Sequence, residues 1–133
     1  VGSAKIVKYN SYIKIKEGRK TEKTPMNTSA VKYVRTLGEY NVYLNSNAYV
    51  VANFSASFCK PCKDIAPFIE ELAESHPSIK FLKIDIEEGS EISDNYNISS
   101  IPYFKFYKGG QEITSYCGTD KKIILEAIAT ITS

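Results

Sequence analysis

The 133-residue sequence has no tryptophan, one histidine, one methionine and only three cysteines. Three cysteines are too few for the disulfide framework of a small secreted scaffold. An ordinary zinc centre takes four ligands, usually two Cys pairs or Cys and His pairs. Beyond Cys59 and Cys62 the chain offers only Cys117 and His76, which form no second close pair, so no metal site is expected. No apolar run approaches the roughly 20 residues of a membrane helix, so no span is expected. Internal repeats and low-complexity tracts are absent. The opening VGSA has neither a start methionine nor an apolar signal core, and targeting is not legible in it. The expected setting is cytoplasmic.

What is present suits one globular domain with its own core. Charge is unevenly placed. Residues 1–25 carry seven basic side chains (Lys5, Lys8, Lys14, Lys16, Arg19, Lys20 and Lys23) against Glu17 and Glu22, a net +5. With +2 overall, the rest of the chain holds −3. A basic arm on a mildly acidic body can touch nucleic acid or an anionic surface. The plainer reading is a solvated extension with no nucleic-acid partner.

Hydrophobic periodicity sketches the elements. In residues 5–16, Val7, Tyr9, Ile13 and Ile15 alternate with Lys8, Asn10, Lys14 and Lys16, as in a half-buried strand. Residues 17–25 read as a linker. VKYV predicts a short strand, TLGEYNVYLNSN a short helix despite Gly38, and residues 48–56 a buried strand. From Cys62, the residues Ile65, Phe68, Ile69, Leu72 and Ala73 recur at helical spacing up to His76-Pro77, with Pro67 inside as an expected kink. IKFLKIDIE predicts a second buried strand and residues 91–97 a weak helix. PYFKFYKGGQEITSYC reads as two strands joined at Lys108-Gly109-Gly110. The last segment predicts a helix capped by Thr119, with Ile124, Leu125, Ile128 and Ile131 as its apolar stripe. The fold class is α/β, a mixed sheet with helices on both faces.

Cys59 then falls where a strand turns into a helix, the usual place for a site in an open sheet. An inert Cys59–Cys62 pair would close too short a loop to constrain the unfolded chain much. The surroundings favour a redox pair instead. A cysteine at a helix N-terminus faces unsatisfied N–H groups and the positive end of the macrodipole, which stabilise a thiolate. Lys60 and Lys63 add positive charge. A free thiol of pKa about 8.5 is about 3% ionised at pH 7, whereas one near 7 is half ionised. That gain exceeds the intrinsic nucleophilicity lost with basicity. Pro61 restrains the turn, keeping Cys62 within reach of a mixed disulfide on Cys59.

Over residues 30–133 the sequence resembles the thioredoxin family, its eukaryotic members above all. FCKPCK stands for the family's WCGPCK, Pro67 for its helix proline, and Ser-Ile-Pro-Tyr at 100–103 for its cis-proline loop. FYKGGQEI matches the late hairpin, and Gly118 the glycine after the last strand. The resemblance implies a thioredoxin fold preceded by an extra strand or arm over residues 1–29. It implies Cys59 as the attacking nucleophile, Cys62 as the resolving thiol and a cis peptide before Pro102. Phe58, Lys60, Pro61, Ile101, Pro102 and Gly118 would line the substrate groove. No cofactor would be bound, the redox-active disulfide serving instead. Disulfide-containing proteins and an NADPH-dependent thioredoxin reductase are the implied partners of a monomer.

Four positions around the site depart from the family. Asn53 stands where a buried aspartate usually moves the resolving cysteine's proton, and an amide cannot accept it. Phe58 replaces a tryptophan, Lys60 a glycine and Tyr103 a threonine. The plain readings are a hydrogen-bonded buried amide, packing for the two aromatics and a solvated charge. Together they imply a specialised or slower thioredoxin. Lys83 matches a family position that can pair with the missing aspartate, which makes it a candidate modulator beside Asn53. It either pairs with Asp85 on its own face or reaches solvent. Cys117 reads as a small apolar residue near the substrate-facing surface, or as a regulatory thiol. The leading function is protein disulfide reduction. A binding or adaptor module with weak redox activity is the alternative, and an oxidase or isomerase the third.

Overall fold

The computed structural model describes residues 29–133. The strand expected at 5–16 and the linker at 17–25 lie outside them. The described elements are β1 (Val31–Tyr33), α1 (Leu37–Ser46), β2 (Tyr49–Ser55), α2 (Lys60–Ser75), β3 (Ile79–Asp85), α3 (Ser90–Asn95), β4 (Tyr103–Lys108), β5 (Gln111–Cys117) and α4 (Lys121–Thr132). The five strands form one mixed sheet in the order β1-β3-β2-β4-β5. β1, β3 and β2 run parallel, β4 pairs antiparallel with β2, and β5 pairs antiparallel with β4. This is the thioredoxin fold.

The central strands are nearly continuous apolar runs because helices cover both faces of the sheet. On one face Val51, Phe81, Phe104 and Phe106 pack with Ile65, Ile69 and Leu72 of α2 and with Ile124, Ile128 and Ile131 of α4. On the other, Ala52, Phe54, Leu82 and Ile84 meet Tyr40 and Leu44 of α1 and Ile92 of α3. Each such side chain contributes roughly 1.5–3 kcal/mol on burial, so these two layers hold the site's framework. Within the second layer the Tyr40 and Tyr107 hydroxyls lie 2.7 Å apart. Burial pushes both phenols above their ordinary pKa; their mutual hydrogen bond raises that of Tyr40 and lowers that of Tyr107.

Local signals explain the element ends, with two corrections. The Thr36 hydroxyl accepts from the Glu39 N–H at 3.2 Å and caps α1. The β4–β5 turn is made by Gly109 and Gly110 at φ 59° and 81°, a backbone that non-glycine residues rarely adopt. The cap of α4 is Asp120, whose carboxylate accepts from the Lys122 N–H at 2.9 Å, and Thr119 stands one residue too early. Leu125 is 44% exposed and so leaves the expected stripe. Residues 124, 127, 128 and 131 share one helical face, and Ala127 takes the inward place while Leu125 lies about 100° round the helix. α2 continues through Pro67 to Ser75, burying Ile65, Ile69, Leu72 and Ala73. Among the described residues no helix is long and apolar enough to cross a membrane.

Candidate active site

The central strand β2 delivers the chain to Ser55, and four residues later Cys59 takes the N-cap position of α2. Cys59 and Cys62 form a disulfide with their Cα atoms 5.3 Å apart. The Cys59 Sγ also accepts from the Cys62 N–H at 3.2 Å. This is one of the orphan donors of the first turn, and it points at sulfur. Both cysteines are buried, Cys59 at 8% exposed being the more accessible residue and Cys62 at 3% the less. Ala56 packs with both cysteines, and Ile86 and Ile101 close over the cluster from other loops.

The peptide bond before Pro102 has the expected isomer. The Ile101–Pro102 bond is cis. Pro102 is buried, its carbonyl accepts the Gly118 N–H at 3.0 Å, and Ile101 rests on the disulfide cluster. Gly118 has φ 148°, a backbone that L side chains rarely adopt, and a Cβ there would push on the Tyr116 side chain. Phe58 projects 66% exposed and Pro61 is exposed beside it. Cys117 is a free, exposed cysteine on β5, in register with Tyr103.

Three expectations about charge and polarity need correction. The Lys60 ammonium turns along the helix to the Asp64 carboxylate, 3.1 and 3.2 Å from its two oxygens. An exposed pair of this kind is worth at most about 1 kcal/mol, and it ties the ammonium to Asp64. Asn53 is 3% exposed in β2, in register with Lys83 and Phe104, but its Oδ1 has no hydrogen-bond partner. It is therefore not the hydrogen-bonded amide of the plain reading. Lys83 does not pair with Asp85. Its Nζ lies 5.6 Å from the centre of the Tyr33 ring, while Asp85 Oδ1 accepts from the Glu87 and Glu88 N–H groups at 2.8 and 3.1 Å.

Two features were missed by sequence reasoning. Ala56 and Ile86 complete the apolar surround of the disulfide from strand ends. Lys105 is buried on β4 with its ammonium 2.9 Å from a Glu112 oxygen. Its signal was available: a lysine between Phe104 and Phe106 shares its face with Tyr103 and Tyr107. No His, Cys, Asp or Glu group able to hold a metal occurs among the described residues.

Comparison with known proteins agrees with this geometry. A family model described as Thioredoxin matches residues 31–130. The chain is 36% identical over 98 residues to Thioredoxin 1 of Plasmodium falciparum, covering 74% of this chain and 94% of that one. It is 40% identical over 101 residues to Thioredoxin-2 of Saccharomyces cerevisiae, covering 75% and 97%. Among solved structures, oxidised mitochondrial thioredoxin 3 of Saccharomyces cerevisiae aligns with a TM-score of 0.72 at 26% identity, covering 76% and 95%. Plasmodium falciparum thioredoxin aligns at 0.71 and 34%, covering 74% and 97%.

Proposed function

The chain belongs to the thioredoxin family and is a thiol–disulfide oxidoreductase acting through Cys59 and Cys62; on that premise we propose that it reduces protein disulfides with Cys59 as nucleophile. The observation that carries the assignment is the Cys62 N–H aimed at the Cys59 sulfur at the start of a 16-residue helix. In the dithiol form the same donor and the helix terminus favour a thiolate on Cys59.

The Cys59 thiolate attacks one sulfur of a substrate disulfide. An S–S bond forms between protein and substrate, and the other substrate sulfur leaves as a thiolate that takes up a proton. Cys62 loses its proton and attacks the Cys59 sulfur, releasing the second substrate thiol and closing the Cys59–Cys62 disulfide. Two electrons and two protons pass to the substrate. A flavoprotein reductase using NADPH returns the pair to the dithiol, and the redox-active disulfide is the functional element throughout. Phe58, Lys60, Pro61, Ile101, Pro102 and Gly118 form the groove that holds an extended substrate segment. Asn53 and Lys83 modulate the proton path to Cys62. Residues 1–29 are an extension outside the redox unit of 30–133, and the protein works as a monomer in a reducing, cytoplasmic setting.

One observation favours the second reading, a docking module with weak redox activity. Asn53 supplies an amide where proton transfer needs a base. Reduction of insulin disulfides, first with dithiothreitol and then with thioredoxin reductase and NADPH, decides. Turnover in both supports the enzyme; turnover in neither leaves the docking module.

A further inference from the structure

Residues 97–102, which carry Ile101 and Pro102 to the disulfide, join α3 to β4 and lie between two tyrosines. Tyr96 is the residue before this loop and Tyr103 the residue after it. Both rings face one ammonium: Lys105 Nζ lies 5.1 Å from the centre of Tyr96 and 5.4 Å from that of Tyr103. The same nitrogen is 2.9 Å from Glu112 Oε1 on β5. The lysine is 7% exposed, so its charge is held almost entirely by these three groups.

We propose that Lys105 is a positioning residue: anchored on Glu112, it draws the Tyr96 and Tyr103 rings onto one cation and so fixes both ends of the 97–102 loop that presents Ile101 and Pro102 to substrate. This rests on the reading of that loop as one wall of the substrate groove. The clamp acts on the wall and not on sulfur, because Lys105 touches neither cysteine. Stability alone does not explain a buried ammonium here. Apolar residues at both 105 and 112 would fill this space without desolvating charge, and replacing both members of a buried pair in that way is often neutral or stabilising.

The test compares the full chain with Lys105→Leu and Lys105→Arg. Lys105→Leu still folds but melts lower, because the partly exposed Glu112 loses its cation, while its KM for insulin rises about three- to ten-fold at little-changed kcat, as expected from losing two cation–ring contacts. Its reaction with 5,5′-dithiobis(2-nitrobenzoic acid), a small disulfide that needs no groove, stays at the wild-type rate. Amide hydrogen exchange over residues 97–102 becomes faster, and Lys105→Arg restores both exchange and KM. Glu112→Gln, which keeps the lysine but loosens its anchor, shifts both in the same direction by less. Unchanged exchange in Lys105→Leu and Glu112→Gln overturns the clamp, whatever the kinetics. Equal slowing toward insulin and the small disulfide overturns it too, because the lysine would then act on Cys59. Faster exchange with an unchanged insulin KM refutes the groove premise and leaves the clamp standing.

Discussion

Asn53→Asp returns a carboxylate to a position where the structure has made no provision for one. The side chain is 3% exposed, its Oδ1 has no partner, and the nearest registered lysine, Lys83, has its ammonium over Tyr33. The new carboxyl therefore loses hydration without gaining a cation, and its pKa rises. If it rises from about 3.9 to about 6.5, the range where it can relay a proton near neutrality, the folded state loses about 3.5 kcal/mol at pH 7. The sign follows from the direction of the shift. A raised folded-state value costs nothing below the unfolded value of about 3.9, and the loss grows as pH rises toward the folded value. Against a typical stability of about 5–15 kcal/mol the variant still folds. At roughly 5 °C per kcal/mol for a domain of this size, it melts about 15–20 °C lower at pH 7 and near the wild-type value at pH 4. If position 53 serves the resolving cysteine as the family resemblance implies, its mixed disulfide should resolve about 10²-fold faster or more, because a base is restored to the proton path. Asn53→Leu, which removes the orphaned oxygen, should gain about 1–3 kcal/mol without that acceleration. Stopped-flow kinetics on a trapped mixed disulfide from pH 6 to 9, with melts at pH 4 and 7, provides the measurement. An unchanged resolution rate, or an equal melting loss at both pH values, refutes the reasoning.

Two further outcomes are expected. In an alkaline titration followed by phenolate absorbance, Tyr40 and Tyr107 should ionise only as the protein unfolds; because burial raises their folded values, stability is full below about pH 10 and falls above it. Both phenols ionising with the native fold intact would contradict their buried pairing. Removal of residues 1–25 should leave insulin reduction within about two-fold of the full chain, since none of the groove or cysteine positions lies there and charged tails are solvated by default; a folded but inactive truncation would place the arm in the site.

The parts of this site that were legible in the sequence are those written in short runs of chain. Cys59, Pro61 and Cys62 carry their chemistry in their spacing. Gly109 and Gly110 announce a turn whose backbone few other residues adopt, at φ 59° and 81°. The Ile101–Pro102 loop was readable through resemblance to a family whose motifs keep this order. What stayed hidden depends on neighbours brought together by sheet register. Asn53 is flanked by Lys83 and Phe104 only because β2 pairs with β3 and β4. Whether its amide found a partner could not follow from its own segment. Lys83 could have met Asp85 two residues away, but Tyr33 arrives beside it from β1. Lys60 looked like a charge for Cys59 until helical i,i+4 geometry gave it to Asp64. Leu125 was misplaced for a smaller reason, since one residue of helical phase separates a buried stripe from solvent.

The assignment of Cys59 as the attacking thiol is tested most directly by brief iodoacetamide treatment of the fully reduced chain at pH 6.5, followed by mass-spectrometric mapping. Cys59 stands at the helix terminus and is the more exposed of the pair, Cys62 lies one turn inside, and Cys117 is at the end of β5, away from the start of α2. Cys59 should therefore be labelled first, with Cys62 and Cys117 trailing well behind. Faster labelling of Cys62 or Cys117 would contradict the assignment and the mechanism built on it.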